Sequence, residues 1–184
     1  ELLQAIEKLR KERGFLLVAD EIQSGLCRTG KYFGYQNYAI EPDMIILGKA
    51  VGGGLPLGAA VFRGVSPFSP GDHGSTFAPN PVSLAAGLSV LSRMDSALLE
   101  SVRICGVHLK ENLERLPWAK EVRGIGLMIG VSTENPERIK SLAFERKVLL
   151  NITAGSIRFL PALNITEEEI DEITERLDFG GLND

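Results

Sequence analysis

The chain has 184 residues, 44% of them hydrophobic and 24% charged, with a net charge of -4. That composition suits a globular chain with enough apolar mass for a sizeable core. It carries no polybasic stripe, which argues against nucleic acid or an anionic membrane surface as a partner. Small anions such as phosphate or carboxylate stay open, because a few placed cations suffice for them.

In chain order, ELLQAIEKLRKER carries Leu2, Leu3, Ile6 and Leu9 on one stripe and predicts an amphipathic helix. It has no capping residue before it, so the numbering reads as starting partway into something larger. Gly14 ends the helix, and FLLVAD (15–20) predicts a buried strand, apolar until its last residue. Residues 21–42 read as a long loop. MIIL (44–47) predicts a second strand and LGAAVF (57–62) a third. Residues 63–80 read as loop, broken by Pro67, Pro70, Gly71 and Gly74, and Pro81 opens a small-residue helix.

From about Asp95 the texture changes. ALLESVRICGVHLKENLERL predicts a long amphipathic helix, VRGIGLMIGVS a strand entered through glycines, PERIKSLAFERK a short helix, and KVLLNI and SIRFL two strands. Thr166, with Glu169 three residues on, marks a capping box at the start of the last helix. These short alternating units predict two domains: an α/β part over 1–94 and a small α+β layer over 95–184. Cys27 and Cys105 form no CxxC and read as two free thiols, with a disulfide between them as the minority alternative. His73 and His108 have no metal-ligand spacing with them, so no metal is expected. No apolar run reaches membrane-spanning length and no signal peptide is visible, so no membrane is expected and the compartment read from the sequence is the cytoplasm.

Open α/β sheets place ligands beyond the carboxyl ends of their strands. The first strand ends in Asp20-Glu21 and the second leads to Lys49, which makes them neighbours at one sheet edge. Three readings compete. In the bland one, Lys49 is a solvated charge and Asp20 caps a turn. In the second, FLLVADE is a nucleotide-binding acidic strand. That reading fails, since the residues around Gly48-Lys49 do not fit G-x-x-x-x-G-K-[ST] and the two motifs stand in the wrong order. GIGLMIG (124–130) does not rescue it, because its glycines are spaced G-x-G-x-x-x-G and lead into a strand. In the third, a lysine held half out of water supplies a reactive amine and an aspartate at a strand end holds a pyridinium proton, as pyridoxal phosphate requires. The glycines after Lys49 would give that cofactor room.

Four ordered motifs, DEIQSGLCRTGKYFGYQ, PDMIILGKAVGGGLPLGA, HGSTFAPNP and IRFLPALNITEEEID, resemble the class III aminotransferases over nearly the whole chain, the acetylornithine and ornithine aminotransferase branch above all. The resemblance implies the pyridoxal-phosphate-dependent transferase fold of type I, with part of a large-domain mixed sheet followed by a small α+β domain. It implies that Asp20 pairs with the pyridine nitrogen, Ile22 packs on the ring face and Gln23 lies near the ring's phenolic oxygen. Lys49 would form the Schiff base and shuttle the proton. Thr76 would reach the phosphate of the partner subunit's cofactor in a homodimer, and Ser75 would sit near substrate. Arg158 would clamp the α-carboxylate of glutamate or 2-oxoglutarate; without the motif it reads as a surface arginine on an edge strand.

The implied reaction moves the amino group of N-acetylornithine, or of ornithine, 4-aminobutyrate or an acylated lysine, to 2-oxoglutarate. Two departures stand out. Ala78-Pro79 occupies a place where the family usually has Gly-Gly. The family's N-terminal half is also absent, with its phosphate loop, ring-stacking aromatic and substrate arginine. The expectation is therefore a fragment that does not transaminate alone. Its rival is a non-catalytic assembly partner.

Overall fold

The computed structural model describes residues 1–64 and 68–180. Pro67, one of the loop breakers read from the sequence, lies outside these. The chain divides into two compact units, Glu1–Ser96 and Ala97–Asp184.

The first unit opens with helix α1 (Leu2–Arg13), which ends on Gly14 in the left-handed conformation, φ 72. Strands β1 (Val18–Asp20), β2 (Met44–Leu47) and β3 (Ala59–Phe62) form a sheet in the order β1-β2-β3. β1 and β2 run parallel, with Asp20 level with Ile46, and β3 returns antiparallel to β2. The sheet is thus mixed. The first strand departs from expectation. Only three of the six residues 15–20 are in the ladder, and the segment is not buried: Phe15 is 39% exposed, Leu16 70% and Val18 43%. A run apolar on both faces needs a layer on each, and within this unit β1 is an edge strand that lacks them. The third strand likewise begins at Ala59, two residues later than its apolar run.

An ion network ties α1 to the start of β2. Arg10 donates to both oxygens of Asp43 (2.9 and 3.0 Å) and to both of Glu7 (3.1 and 3.2 Å). Asp43 Oδ2 also accepts the Leu17 N–H at 2.8 Å, so one carboxylate joins helix, β1 approach and β2. The Arg10 guanidinium holds the Glu7 carboxyl below its ordinary range. A depressed carboxylate contributes stability that is complete above the ordinary glutamate value, about 4.3, and is lost as pH falls through the folded value. Arg10→Ala should therefore lower the melting temperature at neutral pH, and the gap from wild type should close as the pH is taken below about 4. A gap that stays constant through that range would show that the network contributes nothing electrostatic.

Helix α2 (Pro81–Leu91) starts with Pro81 at N1, and Asn80 Oδ1 accepts the Val82 N–H at 2.9 Å as its cap. The helix lays its small residues on the segment after β2. A Cβ built at Gly87 would stand 2.5 Å from Leu57 Cδ2 and 3.1 Å from the Val51 carbonyl oxygen, so only glycine permits this approach.

The second unit holds helix α3 (Ser96–Glu114) from Ala97 on, strands β4 (Glu121–Ile125) and β5 (Met128–Ser132), helix α4 (Pro136–Glu145), strands β6 (Asn151–Thr153) and β7 (Ser156–Phe159), and helix α5 (Glu167–Leu177). The four strands are antiparallel in the order β4-β5-β7-β6. Val122, Val131, Ile157 and Ile152 form one row across the sheet and turn to the core, with Leu109 and Leu113 of α3, Ile139 of α4 and Ile170 of α5. The adjacent row, Arg123, Gly130, Arg158 and Asn151, therefore lies on the opposite face.

Two expectations are corrected here. VRGIGLMIGVS is a hairpin and not one strand, with a two-residue loop at Gly126-Leu127. Gly126 adopts φ 56, which suits the twist of a tight hairpin. A Cβ at Gly106 of α3 would lie 2.6 Å from the Gly126 backbone, so the helix packs directly on this turn. KVLLNI is a strand only from Asn151. Val148 before it serves the core, while Leu149 is exposed. The predicted capping box at Thr166 and Glu169 is present with both of its bonds (3.0 and 3.2 Å). Among the described residues, no single helix is long and apolar enough to cross a membrane.

Candidate active site

The two parallel strands deliver the chemistry. β1 ends at Asp20, and its neighbour β2 ends at Leu47, followed by Gly48 and Lys49. Neighbouring strands lie about 4.8 Å apart, so both residues leave the same carboxyl edge of the sheet. Ile22 joins them. A Cβ at Gly48 would touch Ile22 Cγ2 at 3.3 Å, which places the Ile22 side chain over the strand end that bears the lysine. Asp20 Oδ1 accepts the Ile22 N–H at 3.0 Å, turning the chain sharply and leaving Oδ2 available to a ligand. Gln23, half-buried, follows in the same turn.

Lys49 begins a short 3-10 turn over Lys49–Gly52 and has φ 47. A non-glycine residue in the left-handed region is uncommon and is held there by its surroundings. Those surroundings are α2, packed on the turn through Gly53, whose Cβ position lies 3.0 Å from Val90 Cγ2, and through Gly87. The glycines after Lys49 thus divide their duties. Gly52 and Gly53 admit Leu57 and Val90, and Gly54, with nothing within 4 Å, faces open space. Lys49 itself is exposed, where a half-buried amine was expected, and so is Asp20. Lys49 makes no ion pair or hydrogen bond among the described residues.

The loop that follows β1 is fastened by a residue the sequence did not single out for a role. Glu21 is 3% exposed, yet its carboxylate takes three hydrogen bonds. Oε2 accepts Ser24 Oγ–H and the Gly34 N–H, both at 2.8 Å, and Oε1 accepts the Tyr35 N–H at 2.7 Å. Burying a carboxylate costs several kcal/mol unless such charge-assisted bonds offset it. The available signal was the doublet Asp20-Glu21 itself, since a second charge at a strand end needs partners nearby.

The remaining predicted residues lie on other segments. Ser75 Oγ accepts the N–H groups of Phe77 and Ala78 at 3.3 and 3.2 Å, so it organises its own turn. Thr76 is exposed, and no hydrogen bond joins it to Asp20 or Lys49. The Ala78–Pro79 peptide is cis. Arg158 belongs to the second unit. β7 is an inner strand of its sheet and Arg158 is half-buried, which overturns the reading as a surface arginine on an edge strand. It lines a groove of about 540 Å³ with Lys140, Leu149, Leu150, Asn151 and Leu160. Two cations and no acid line it, so it suits an anion. Both cysteines are free and buried, and burial pushes the Cys27 thiol up, away from reactivity. Among the described residues, no group of three or more His, Cys, Asp or Glu is arranged to hold a metal.

The donor set is an amine with no side-chain partner among the described residues, a carboxylate with one oxygen available, and an aliphatic side chain against the strand end that bears the lysine. It fits an aldehyde-bearing pyridine, which Lys49 would hold through its amine, Asp20 through the ring proton and Ile22 through a ring face. It does not fit a nucleotide, for which no glycine-rich phosphate cradle opens a helix among the described residues.

Comparison with known proteins agrees. The family model "Aminotransferase class-III" matches residues 1–179. The acetylornithine aminotransferase of Caldanaerobacter subterraneus subsp. tengcongensis is 42% identical over 187 residues, covering 97% of this chain and 48% of its own. A 2.3 Å crystal structure of the ornithine aminotransferase from Toxoplasma gondii ME49 superposes with a TM-score of 0.88 at 33% identity, over 95% of this chain and 45% of that one. A second structure of the T. gondii enzyme, TM-score 0.87 at 33% identity over 95% and 44% of the two chains, has PLP at partial occupancy in its active site. The fold is therefore that of the fold-type I transferases, and the chain spans about half the length of the relatives it matches.

Proposed function

We propose, for a chain that belongs to the class III aminotransferases, that it is the half of a pyridoxal-phosphate-dependent transaminase that carries the reactive lysine. The single observation behind this is Lys49 in a left-handed backbone at the end of β2, beside Asp20 at the end of its parallel neighbour. Pyridoxal phosphate, when bound, withdraws electrons from the amine-bearing carbon of the substrate through its protonated ring.

The chain's own residues do the rest. Asp20 holds the ring nitrogen's proton by a charge-assisted hydrogen bond. Ile22 excludes water from one ring face, and Gln23 lies toward the phenolic oxygen. Lys49 anchors the cofactor through Nζ. Its free amine would take the proton from the substrate carbon and return it on the cofactor side. Arg158 receives the α-carboxylate of 2-oxoglutarate or glutamate in a bidentate pair. Ser75 lies toward substrate, and Thr76 reaches the phosphate of a partner subunit's cofactor in a homodimer. Residues 1–94 are the later part of the cofactor-binding domain and 95–184 the small domain.

The donor is N-acetylornithine, as in the relatives' names, with ornithine next. Its terminal –CH2–NH2 becomes an aldehyde while 2-oxoglutarate becomes glutamate. The complete enzyme, incubated with N-acetylornithine and 2-oxoglutarate, is expected to form glutamate and aldehyde in equal amounts. Formation with ornithine or 4-aminobutyrate but not with the acetylated amine would move the assignment to those donors.

The exposure of Asp20, Lys49 and Thr76 supports a second reading for the 184 residues alone: an assembly half without turnover. Borohydride reduction at saturating cofactor separates the two. A phosphopyridoxyl adduct on Lys49 of the isolated chain supports cofactor chemistry within it, and no adduct supports the assembly half.

A further inference from the structure

We infer that Glu21 is a positioning residue for the Asp20 carboxylate, an inference that rests on the proposed role of Asp20 toward the cofactor. Every polar group of Glu21 is committed. Its N–H donates to the Ile46 carbonyl at 2.9 Å, carrying the β1–β2 ladder one residue past Asp20. Its carbonyl accepts the Gly25 N–H at 3.0 Å, closing the first turn of the loop. Its carboxylate reaches 13 and 14 residues along the chain to the amides of Gly34 and Tyr35 and also takes Ser24 Oγ–H.

The packing is built around this group. A Cβ at Gly34 would stand 3.1 Å from Glu21 Oε2 and 2.9 Å from Ser24 Cβ, and one at Gly25 would stand 2.7 Å from the Glu21 carbonyl oxygen. Asp20 and Ile22, the neighbours of Glu21 on either side, are the two residues offered to the cofactor ring. Asp20 is exposed and, among the described residues, its side chain bonds only to the Ile22 N–H through Oδ1. The direction is set by the backbone on which Glu21 closes the clasp. Fixing a group within about 0.5 Å is what a second layer of hydrogen bonds does for a site.

The role separates from bulk stability by reciprocity. If the clasp orders Asp20 for the cofactor, the cofactor on Asp20 must order the clasp by the same factor. In the complete wild-type enzyme, hydrogen exchange at the Gly34 and Tyr35 amides is expected to slow when pyridoxal phosphate is added. Exchange there that is unchanged by bound cofactor overturns the inference without any variant.

Glu21→Gln keeps one acceptor and presents an NH2 to a backbone donor. It is expected to raise the cofactor dissociation constant roughly tenfold, with Glu21→Ala raising it further, and to alter the absorption profile of the bound cofactor. Variants that melt lower but hold the cofactor with wild-type affinity and spectrum reduce Glu21 to a structural residue and overturn the inference. A wild-type enzyme that takes up no cofactor brings down the proposed function first, and this inference with it.

Discussion

Lys49→Ala in the complete enzyme is expected to abolish transamination. On the proposed role, the substitution removes two things at once: the amine that would anchor the cofactor and the base that would move the proton. Positioned proton transfer alone is worth roughly 10²–10⁴ in rate, and loss of covalent attachment adds to it. The fold should tolerate the change. Lys49 is exposed, makes no ion pair among the described residues, and occupies a left-handed backbone that alanine adopts no less readily than lysine. A wild-type melting profile with turnover below detection is therefore the anticipated pair of results. Lys49→Arg separates charge from chemistry, because a guanidinium stays protonated and cannot condense with an aldehyde. It should be as inactive as the alanine variant. Ordinary turnover in either variant would remove Lys49 from the reaction and with it the reading of this edge of the sheet.

What could be read from the sequence was whatever is encoded within a few residues. The α5 cap was legible because Thr166 and Glu169 satisfy each other across one turn. The start of α2 was legible from Pro81, though its capping residue is Asn80, one place earlier. The placement of Asp20 and Lys49 at one sheet edge was legible because each stands at or just after the end of an apolar run, and that placement needs only strand order and direction. Features set by partners far along the chain were not legible. The β4–β5 hairpin was missed because its turn is Gly126-Leu127, and Leu127 is fully buried, so the apolar run continues through it without a polar break. Arg158 looked like an edge residue because nothing local says that β6, earlier in sequence, pairs outside β7. The doublet Asp20-Glu21 marked the position, but the role of Glu21 was not legible because two of its partners are backbone amides in a loop 13 and 14 residues away. The burial of residues 15–20 was over-read, since an apolar run reports what a strand requires and not what one chain supplies.

Asp20→Asn in the complete enzyme is expected to keep the clasp and lose the chemistry. The amide oxygen can still accept the Ile22 N–H, as Oδ1 does now at 3.0 Å, so the turn after β1 should persist. The variant loses the negative charge that Asp20 is proposed to present to the ring nitrogen. A pyridinium proton is stabilised by an adjacent carboxylate through charge and hydrogen bond together, whereas an amide presents a dipole in its place. Hydrogen bonds with an ionised partner contribute about 1.5–3 kcal/mol, which corresponds to roughly 10- to 150-fold. That factor should fall on kcat, because the protonated ring matters most where negative charge develops on the substrate carbon. Cofactor retention should weaken as well, so turnover has to be measured at saturating cofactor to keep the two effects apart. Asp20→Ala, which also gives up the bond to Ile22, should be worse on both counts. If Asp20→Asn loses only cofactor affinity and regains wild-type kcat at saturation, Asp20 binds without activating. The electron-withdrawing role assigned to this strand end would then have to be sought elsewhere in the enzyme.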